Sequence, residues 1–426
     1  MLRPVFARWR RQRAGVRFAT ALGLTTLLSV IAALSATGWV PQFDLAIYYR
    51  AVSAWVAGAG LYSYAQPDEI MGSLGFTYPP FAAIVMSPMT LLSFGAVRVL
   101  TVLAIVVAGG VLVHLLLTDR VGPGLARRTG WAAAVVLTPV AFMVESLREN
   151  LSFGQINVFL VLLVVADVLV LGRRRSRWFG VGIGLAGALK ITPGIAVLYL
   201  LVTRRWRAAL TAVATAAVVT GLAAAIAPRE TWDFFTGLLW DTTRVGRPES
   251  ILDQSVNGWL ARWFAPEPVP RPLWAVLAAA LVGIGLYRAA RLYRGGDDLA
   301  GLTVVGLVGI AVSPVSWIHH AVWVLPALAV IADRWWRLRG TPGRGRTGLL
   351  VLGLTGMLIW GMQPTSYIRT DIDDWPTAGV VTLVLSGLPV LWCVIAILVL
   401  PGRRTPGVPL PSRGASGTGL ADEGVA

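Results

Sequence analysis

Lys190 is a candidate functional residue, because its side chain can bind an anion and its position is energetically unfavourable for a charge. It is the only lysine in the chain and lies in the middle of an apolar stretch, where ionisable residues usually mark function. Its compact ammonium suits a phosphate or pyrophosphate group. The alternative is a lysine whose aliphatic stem is buried while its charged end reaches the membrane surface.

Two adjacent histidines, His319 and His320, follow the segment SPVSW at residues 313–317. The only other histidine, His114, lies in an apolar helical stretch, where it fits a role in the core. Adjacent side chains on a helix point in different directions, and no carboxylate-rich motif accompanies the pair. We therefore expect hydrogen bonds to a phosphate or to sugar hydroxyls rather than a metal site.

Asp44 is the candidate carboxylate, near the start of the segment PQFDLAIYYRAVSAWVAGAGLYSY. An apolar face predicts a helix that lies in the membrane interface, where Asp44 could meet a hydroxyl on a lipid-linked molecule. That face consists of Phe43, Ile47, Val52 and Trp55. The alternative is that Asp44 only caps the N-terminus of this helix, a position at which aspartate is common.

The composition excludes a water-soluble enzyme and a disordered chain. Of the 426 residues 56% are hydrophobic and only 14% are charged, against roughly 25% in an ordinary soluble domain. The apolar residues recur in blocks close to the roughly 20 residues that a transmembrane helix needs. The single cysteine, Cys393, lies in such a block, which excludes a disulfide framework and a cysteine metal site. We predict an all-α polytopic membrane protein.

The net charge of +16 is explained by membrane topology, and we expect no nucleic-acid partner. Nearly all basic residues are arginines at the ends of apolar blocks, as the positive-inside rule requires, and no soluble basic face with interleaved aromatics is visible. We expect a basic cytoplasmic N-terminus at residues 1–17, a transmembrane domain at 18–400, and a disordered cytoplasmic tail at 401–426. A cleavable signal peptide is the alternative for the first apolar stretch.

The apolar stretches predict about ten to twelve membrane helices. Expected spans lie near residues 18–40, 99–117, 130–147, 156–172, 208–227, 273–286, 299–311, 321–332, 348–362 and 377–400. The stretch 178–202 lies between two arginine clusters and must enter and return, and Pro193 favours two half-helices that meet at Lys190. The run 79–93 is only about 22 Å long as a helix, so we favour a partial or broken span there, with 130–147 as the alternative.

This topology places scattered polar residues on one side of the membrane, the outer one. They are Asp44, Lys190 and the segments 76–80, 145–157, 253–258 and 313–320. The arginine pattern alone assigns them there, without reference to their chemistry. Their convergence predicts a site that faces the cell exterior.

The order of several short motifs resembles glycosyltransferase family 87. The motifs are DL…YY…A from Asp44, G…GLY at 58–62, FTYPPF at 76–81, GQIN at 154–157, LKITPG at 189–194, DQSVNG at 253–258 and SPVSWIHH at 313–320. Members of this family are polyprenol-phosphate-mannose-dependent mannosyltransferases of actinobacteria. They are similar to the GT-C superfamily of multi-pass enzymes, whose active site lies at the outer face.

The resemblance implies an inverting enzyme that moves mannose from polyprenyl-phosphate-mannose to a hydroxyl of a lipid-linked mannoside or lipoglycan, without a cofactor. Asp44 matches the acidic residue of the first outer loop, the family's catalytic base. The residues expected around the donor phosphate are Lys190, His319, His320 and Arg244. Those expected to bind substrate are Tyr48, Tyr78, Gln155, Asn157, Gln254, Asn257 and Trp317. No metal is expected, because Glu145 is followed by Ser146 and Leu147 instead of a second carboxylate.

Two alternatives remain open. A transporter or flippase would use Lys190 and the histidines as a substrate pathway, although transporters often show inverted repeats and a midplane site. An arabinosyltransferase would keep the same fold and use a polyprenyl-phosphate-arabinofuranose donor.

Overall fold

The computed structural model describes residues 42–68, 71–121, 132–340, 343–362, 368 and 372–403. The predicted first span at 18–40 and the predicted tail beyond residue 403 lie outside these residues. The described chain is almost entirely helical, which confirms the predicted all-α class. Its one sheet pairs β1 (Ala65–Asp68) with antiparallel β2 (Gly72–Gly75).

The described residues form seventeen α-helices. In chain order they are α1 Phe43–Val56, α2 Pro80–Met86, α3 Phe94–Val121, α4 Ala132–Ala141, α5 Glu145–Phe153, α6 Asn157–Ala166, α7 Val181–Leu189, α8 Ile195–Val202, α9 Trp206–Ile226, α10 Pro228–Thr236, α11 Val256–Phe264, α12 Arg271–Arg294, α13 Asp298–Val312, α14 Val324–Arg337, α15 Arg344–Met362, α16 Val380–Ser386 and α17 Leu388–Val399. Short 3-10 helices include Ser87–Leu91, Thr192–Gly194 and Ile318–Trp323, and a π-helix at Asp167–Gly172 extends α6.

Four helices of the described chain, α3, α9, α12 and α15, are long and apolar enough to cross a membrane. The stretch 377–400, predicted as one span, is a pair, α16 and α17, bent by 59°. At this bend a Cβ atom on Gly387 would lie 2.3 Å from Nε1 of Trp259, so only glycine lets α11 approach. Other apolar helices are shorter, and the number of ten to twelve crossings stays a prediction.

Two stretches that were not expected to form full, continuous spans do not form them in the structure. Helix α7 ends at Leu189, Lys190 has an extended backbone, and α8 begins after the 3-10 turn. A Cβ on Gly187 would lie 3.5 Å from the Cα of Gly194, so the chain folds back at Lys190. The prediction of two half-helices meeting there is confirmed. The segment Pro80–Leu91 is likewise shorter than a full span.

Helix α1 packs into the protein as part of a small aromatic core. Its buried residues are Leu45, Ala46, Ile47, Tyr48, Ala51 and Val52, and they contact Phe76, Tyr78 and α2. Phe43 and Trp55 are only partly buried at the edge of this core. The helix itself is confirmed, and its position in the membrane interface stays a prediction.

Charged residues at the arginine-rich ends of several helices form a closed network, which we call the arginine-rich cluster. It consists of Asp119, Arg120, Asp297, Asp333 and Arg403. Arg120 is 5% exposed and pairs with Asp297 at 2.6 Å and with Asp333 at 3.6 Å. Arg403 pairs with Asp333 at 3.0 Å. Each charge thus lies beside at least one of opposite sign, which ties the ends of α3, α13 and α14 together.

Candidate active site

A cavity of about 550 Å³ lies where α1, the turn between α5 and α6, the break at Lys190 and the segment 313–320 meet. Asp44 and Lys190 both line it, together with Gln155, His319 and His320. These residues are far apart in the sequence, and the structure brings them to one place.

The turn between α5 and α6 sets Gln155 against Asp44. Gly154 ends α5 in the left-handed conformation (φ 70°), and a Cβ there would lie 2.6 Å from Cβ of Leu45. Glycine therefore permits both the turn and the close approach of α1. The Gln155 Nε2 donates a hydrogen bond of 2.5 Å to Oδ2 of Asp44.

Asp44 does not cap its helix, so that alternative interpretation is wrong. Gln42 occupies the N-cap position, and Asp44 lies in the first turn of α1 with its carboxylate directed to Gln155. Burial raises the pKa of Asp44 to about 6, although the hydrogen bond from Gln155 and the charge of Lys190 oppose the rise. The group is ionised at neutral pH and is a stronger base than an exposed aspartate.

Two tyrosines hold the other side of the Gln155 amide. The hydroxyl of Tyr78 donates to Oε1 of Gln155 at 2.9 Å, and the hydroxyls of Tyr48 and Tyr78 are 2.8 Å apart. Both rings pack against Phe76, which is fully buried. Tyr78 of the FTYPPF motif thus orients the Gln155 amide so that its nitrogen, and not its oxygen, points to Asp44.

Lys190 extends this network to the histidine pair. Its Nζ donates to Oδ1 of Asn157 at 2.9 Å, lies 2.8 Å from Nε2 of His320, and stands 5.0 Å from the ring centre of Tyr78. Asn157 in turn donates to Oε1 of Gln155 at 3.2 Å. A continuous chain of hydrogen bonds therefore connects the carboxylate with the ammonium and with an imidazole, and the two bonded partners of the ammonium carry no negative charge.

Both histidines face the cavity. They lie on the 3-10 helix Ile318–Trp323 with their rings 4.7 Å apart and nearly perpendicular. Asn150 donates to the carbonyl of His319 at 2.8 Å, and Phe153 packs against its ring at 5.5 Å. Nε2 of His319 is buried and has no hydrogen-bond partner among the described residues, so it is available to a bound molecule.

Of the other predicted site residues, Arg244 and Trp317 line the cavity, and Asn157 lies behind Lys190. Arg244 donates to the carbonyl of Tyr62 at 3.2 Å. A Cβ on Gly246 would lie 2.8 Å from the Trp317 ring, so the ring packs directly against the backbone of Gly246.

Gln254 and Asn257, expected to bind substrate, do not line the cavity. The Gln254 amide donates to the carbonyls of Ile251 and Ser386, and Asn257 donates to the carbonyl of Pro314. Their amide donors are used inside the fold, and a role of the two residues in substrate binding stays a prediction.

The sequence reasoning missed three carboxylates on the cavity wall, Asp68, Glu149 and Asp241. They lie in an edge strand, on α5 and in an irregular loop, where no motif distinguishes them. No group of three or more potential metal ligands was found in the part of the chain that the structure describes. A second, narrow crevice of about 50 Å³ lies between α6, α8 and α13, and it shares Thr192 and His320 with the cavity.

Comparisons with known proteins identify the family of the chain. Residues 76–314 match the model of glycosyltransferase family 87. A polyprenol-phosphate-mannose-dependent alpha-(1-2)-phosphatidylinositol mannoside mannosyltransferase of Mycobacterium tuberculosis is 34% identical over 424 residues, which cover 93% of this chain and 96% of that protein.

Two further relatives match a smaller share of this chain. A polyprenol-phosphate-mannose-dependent alpha-(1-2)-phosphatidylinositol pentamannoside mannosyltransferase of Mycolicibacterium smegmatis is 33% identical over 83% of this chain and 86% of its own. An alpha-(1->3)-arabinofuranosyltransferase of Mycobacterium tuberculosis is 29% identical over 61% of this chain and 58% of its own. No solved structure matches the chain. The matched family model and the extent of the first relative confirm the resemblance, and the chain belongs to glycosyltransferase family 87.

Proposed function

We propose that this protein transfers mannose from polyprenyl-phosphate-mannose to a hydroxyl of a phosphatidylinositol mannoside or related lipoglycan at the outer face of the membrane. The observation that carries the proposal is one cavity with a carboxylate, Asp44, and an ammonium, Lys190, joined through Gln155 and Asn157. The mannosyltransferase relatives, similar over most of the chain, support the choice of sugar and acceptor.

Asp44 is the general base in this proposal. Its carboxylate takes the proton of the acceptor hydroxyl as the oxygen attacks the anomeric carbon of a β-linked mannosyl phosphate. The bond between that carbon and the phosphate oxygen breaks, and the configuration inverts to an α-mannoside. The raised pKa of Asp44, about 6, favours this role because a base works best when its pKa is close to the working pH.

The opposite end of the network receives the leaving phosphate. Lys190 and the free Nε2 of His319 supply a positive charge and a hydrogen-bonding nitrogen, and Arg244 adds a guanidinium from the facing wall. Such preorganised groups stabilise charge where it develops in the transition state.

A bond formed outside the cell cannot draw on a cytosolic nucleotide sugar, so a lipid-carried donor agrees with an outer site. In this proposal the arginine-rich helix ends face the cytoplasm, as the positive-inside rule predicts. The cavity lies away from them, because α13 runs from Asp298, beside the arginine-rich cluster, to Val312, just before the segment that carries the histidines.

The test is the purified full chain in nanodiscs with radiolabelled polyprenyl-phosphate-mannose and a panel of phosphatidylinositol mannosides. We expect an α-linked mannosyl product, and we expect Asp44→Asn to lower kcat by roughly 10²–10⁴-fold while donor binding persists. Glu267→Gln, an exposed carboxylate, is the matched control and keeps wild-type activity.

Other outcomes would overturn the proposal. Transfer only from polyprenyl-phosphate-arabinofuranose would identify an arabinosyltransferase. Uptake of a lipid-linked sugar into proteoliposomes without bond formation would identify a transporter. Full activity of Asp44→Asn would remove the general base.

A further inference from the structure

The DQSVNG segment at 253–258 bears a fully buried carboxylate that the proposed mechanism does not use. Asp253 is 0% exposed and does not line the cavity. We propose that Asp253 is a positioning residue that holds the segment carrying His319 and His320 in its working place. The proposal rests on the function proposed above, in which this pair faces the leaving phosphate.

Asp253 binds the histidine segment through the backbone. Its Oδ1 accepts hydrogen bonds from the N–H of Ser316 at 2.8 Å and from that of Ser255 at 2.9 Å. Asp253 and Trp317 form an antiparallel bridge. On either side, the N–H of Gln254 donates to the carbonyl of Ser316 at 2.7 Å, and the N–H of Ile318 donates to the carbonyl of Leu252 at 3.0 Å.

These bonds act on the chain immediately before the histidines. Trp317 lines the cavity, and the 3-10 helix with both histidines begins at Ile318. A loss of the contact at Ser316 would release the start of this helix. The backbone before His320 would then no longer hold this residue in place. The distance of 2.8 Å between Nζ of Lys190 and Nε2 of His320 would no longer be maintained.

A buried arginine binds the backbone of the DQSVNG segment on the side away from the histidines. Arg262 is 1% exposed and donates to the carbonyls of Asp253, Ser250 and Ser386. Ser386 ends α16 at the bend of the last helix pair. Arg262 therefore connects the backbone of Asp253, which binds the histidine segment, to the end of α16.

Asp253 has no room to touch a substrate. A Cβ on Gly258 would lie 2.6 Å from its Oδ2, so the carboxylate lies directly on the backbone of α11. The glycine of the motif is explained by this contact. The segment is thus a support behind the cavity wall rather than a sugar-binding loop.

The experiment compares Asp253→Ala with Asp253→Asn in the full chain. Asparagine keeps Oδ1 as an acceptor for both N–H groups, whereas alanine removes it. We expect Asp253→Ala to lower kcat by roughly 10²-fold with little change in acceptor KM, since small misplacements cost that much. Asp253→Asn should remain close to wild type, which would separate a hydrogen-bond role from a charge role.

A second readout does not depend on activity. The chain has three histidines, so diethyl pyrocarbonate labelling read by mass spectrometry follows each one. In Asp253→Ala we expect faster labelling of His319 and His320 relative to His114, and no change in Asp253→Asn. Asp297→Ala, which removes a buried carboxylate of the arginine-rich cluster, is the control: it should lower stability without altering that ratio.

Two results would overturn the proposal. One is an Asp253→Ala protein that loses activity only in proportion to its folded fraction, with an unchanged labelling ratio. The other, which remains measurable if the alanine variant does not fold, is a folded Asp253→Asn that loses most of its activity. A changed labelling ratio in a protein inactive on every mannosyl donor would uphold the positioning role and reject the proposed function.

Discussion

The cavity and the arginine-rich cluster are two places where charged residues gather inside this apolar protein, and they differ in how the charges are paired. They lie at opposite ends of the same helices: α13 begins next to Asp297 and ends just before the histidine segment. Its 15 residues span about 22 Å. In the cluster, carboxylates and guanidinium groups pair directly.

In the cavity the carboxylate and the ammonium are held apart by two neutral amides, those of Gln155 and Asn157. A direct pair would neutralise both groups and leave neither for a ligand. We infer from this difference that directly paired charges stabilise the fold here, whereas charges that are kept apart remain available to a ligand in the cavity. Mutations at the two ends should therefore separate stability from activity.

The largest effect is expected for Arg120→Met. This change leaves the carboxylates of Asp119, Asp297 and Asp333 without their central partner, and breaking a buried ion pair costs about 3–5 kcal/mol. The free energy of unfolding, measured by denaturant titration in mixed micelles, should fall by that amount. Activity per folded molecule should be retained, and a selective loss of activity would break the comparison.

A smaller effect is expected for Lys190→Met, and in activity instead of stability. Hydrogen bonds to charged groups are worth about 1.5–3 kcal/mol, so kcat/KM for the donor should fall by roughly 10–150-fold. Stability should not decrease, because no carboxylate loses a direct partner. Lys190→Arg is the matched variant: its larger, planar group should restore activity only in part. Destabilisation as severe as that of Arg120→Met would contradict the distinction.

The smallest effect is the pH dependence of the wild type. The pKa of Asp44 is raised from 3.8 to about 6, so the base is ionised above this pH and becomes protonated as the pH falls through it. The logarithm of kcat/KM should be level near pH 7 and decline below about pH 6. An ordinary aspartate would place the decline near pH 4, and a decline there would show that the cavity does not perturb Asp44.

Local features of the fold could be read from the sequence, and contacts between distant segments could not. The break at Lys190 was predictable because Pro193 restricts its own neighbours. The bend at Gly387 was not, since it depends on Trp259 approaching from α11. The membrane class followed from composition alone.

The same limit applies to the site. The arginine pattern placed Asp44, Lys190 and the histidines on one side of the membrane as candidates, but the pairing of Gln155 with Asp44 joins positions 111 residues apart. The position of Gln254 outside the cavity could not be predicted either, because its partner, the carbonyl of Ser386, lies 132 residues further on. A polar side chain in a motif gives no sign of whether its hydrogen bonds point to a ligand or into the protein.

The bond from Gln155 to one oxygen of Asp44 has a consequence for regioselectivity. Because Oδ2 already accepts a hydrogen bond, Oδ1 is the less engaged oxygen, and approach of an alcohol toward Oδ1 is favoured. Sugar hydroxyls differ little in acidity, and a base open on both edges would discriminate poorly among them. In an enzyme with this geometry, the choice of linkage would be set by the angle at which the acceptor ring enters.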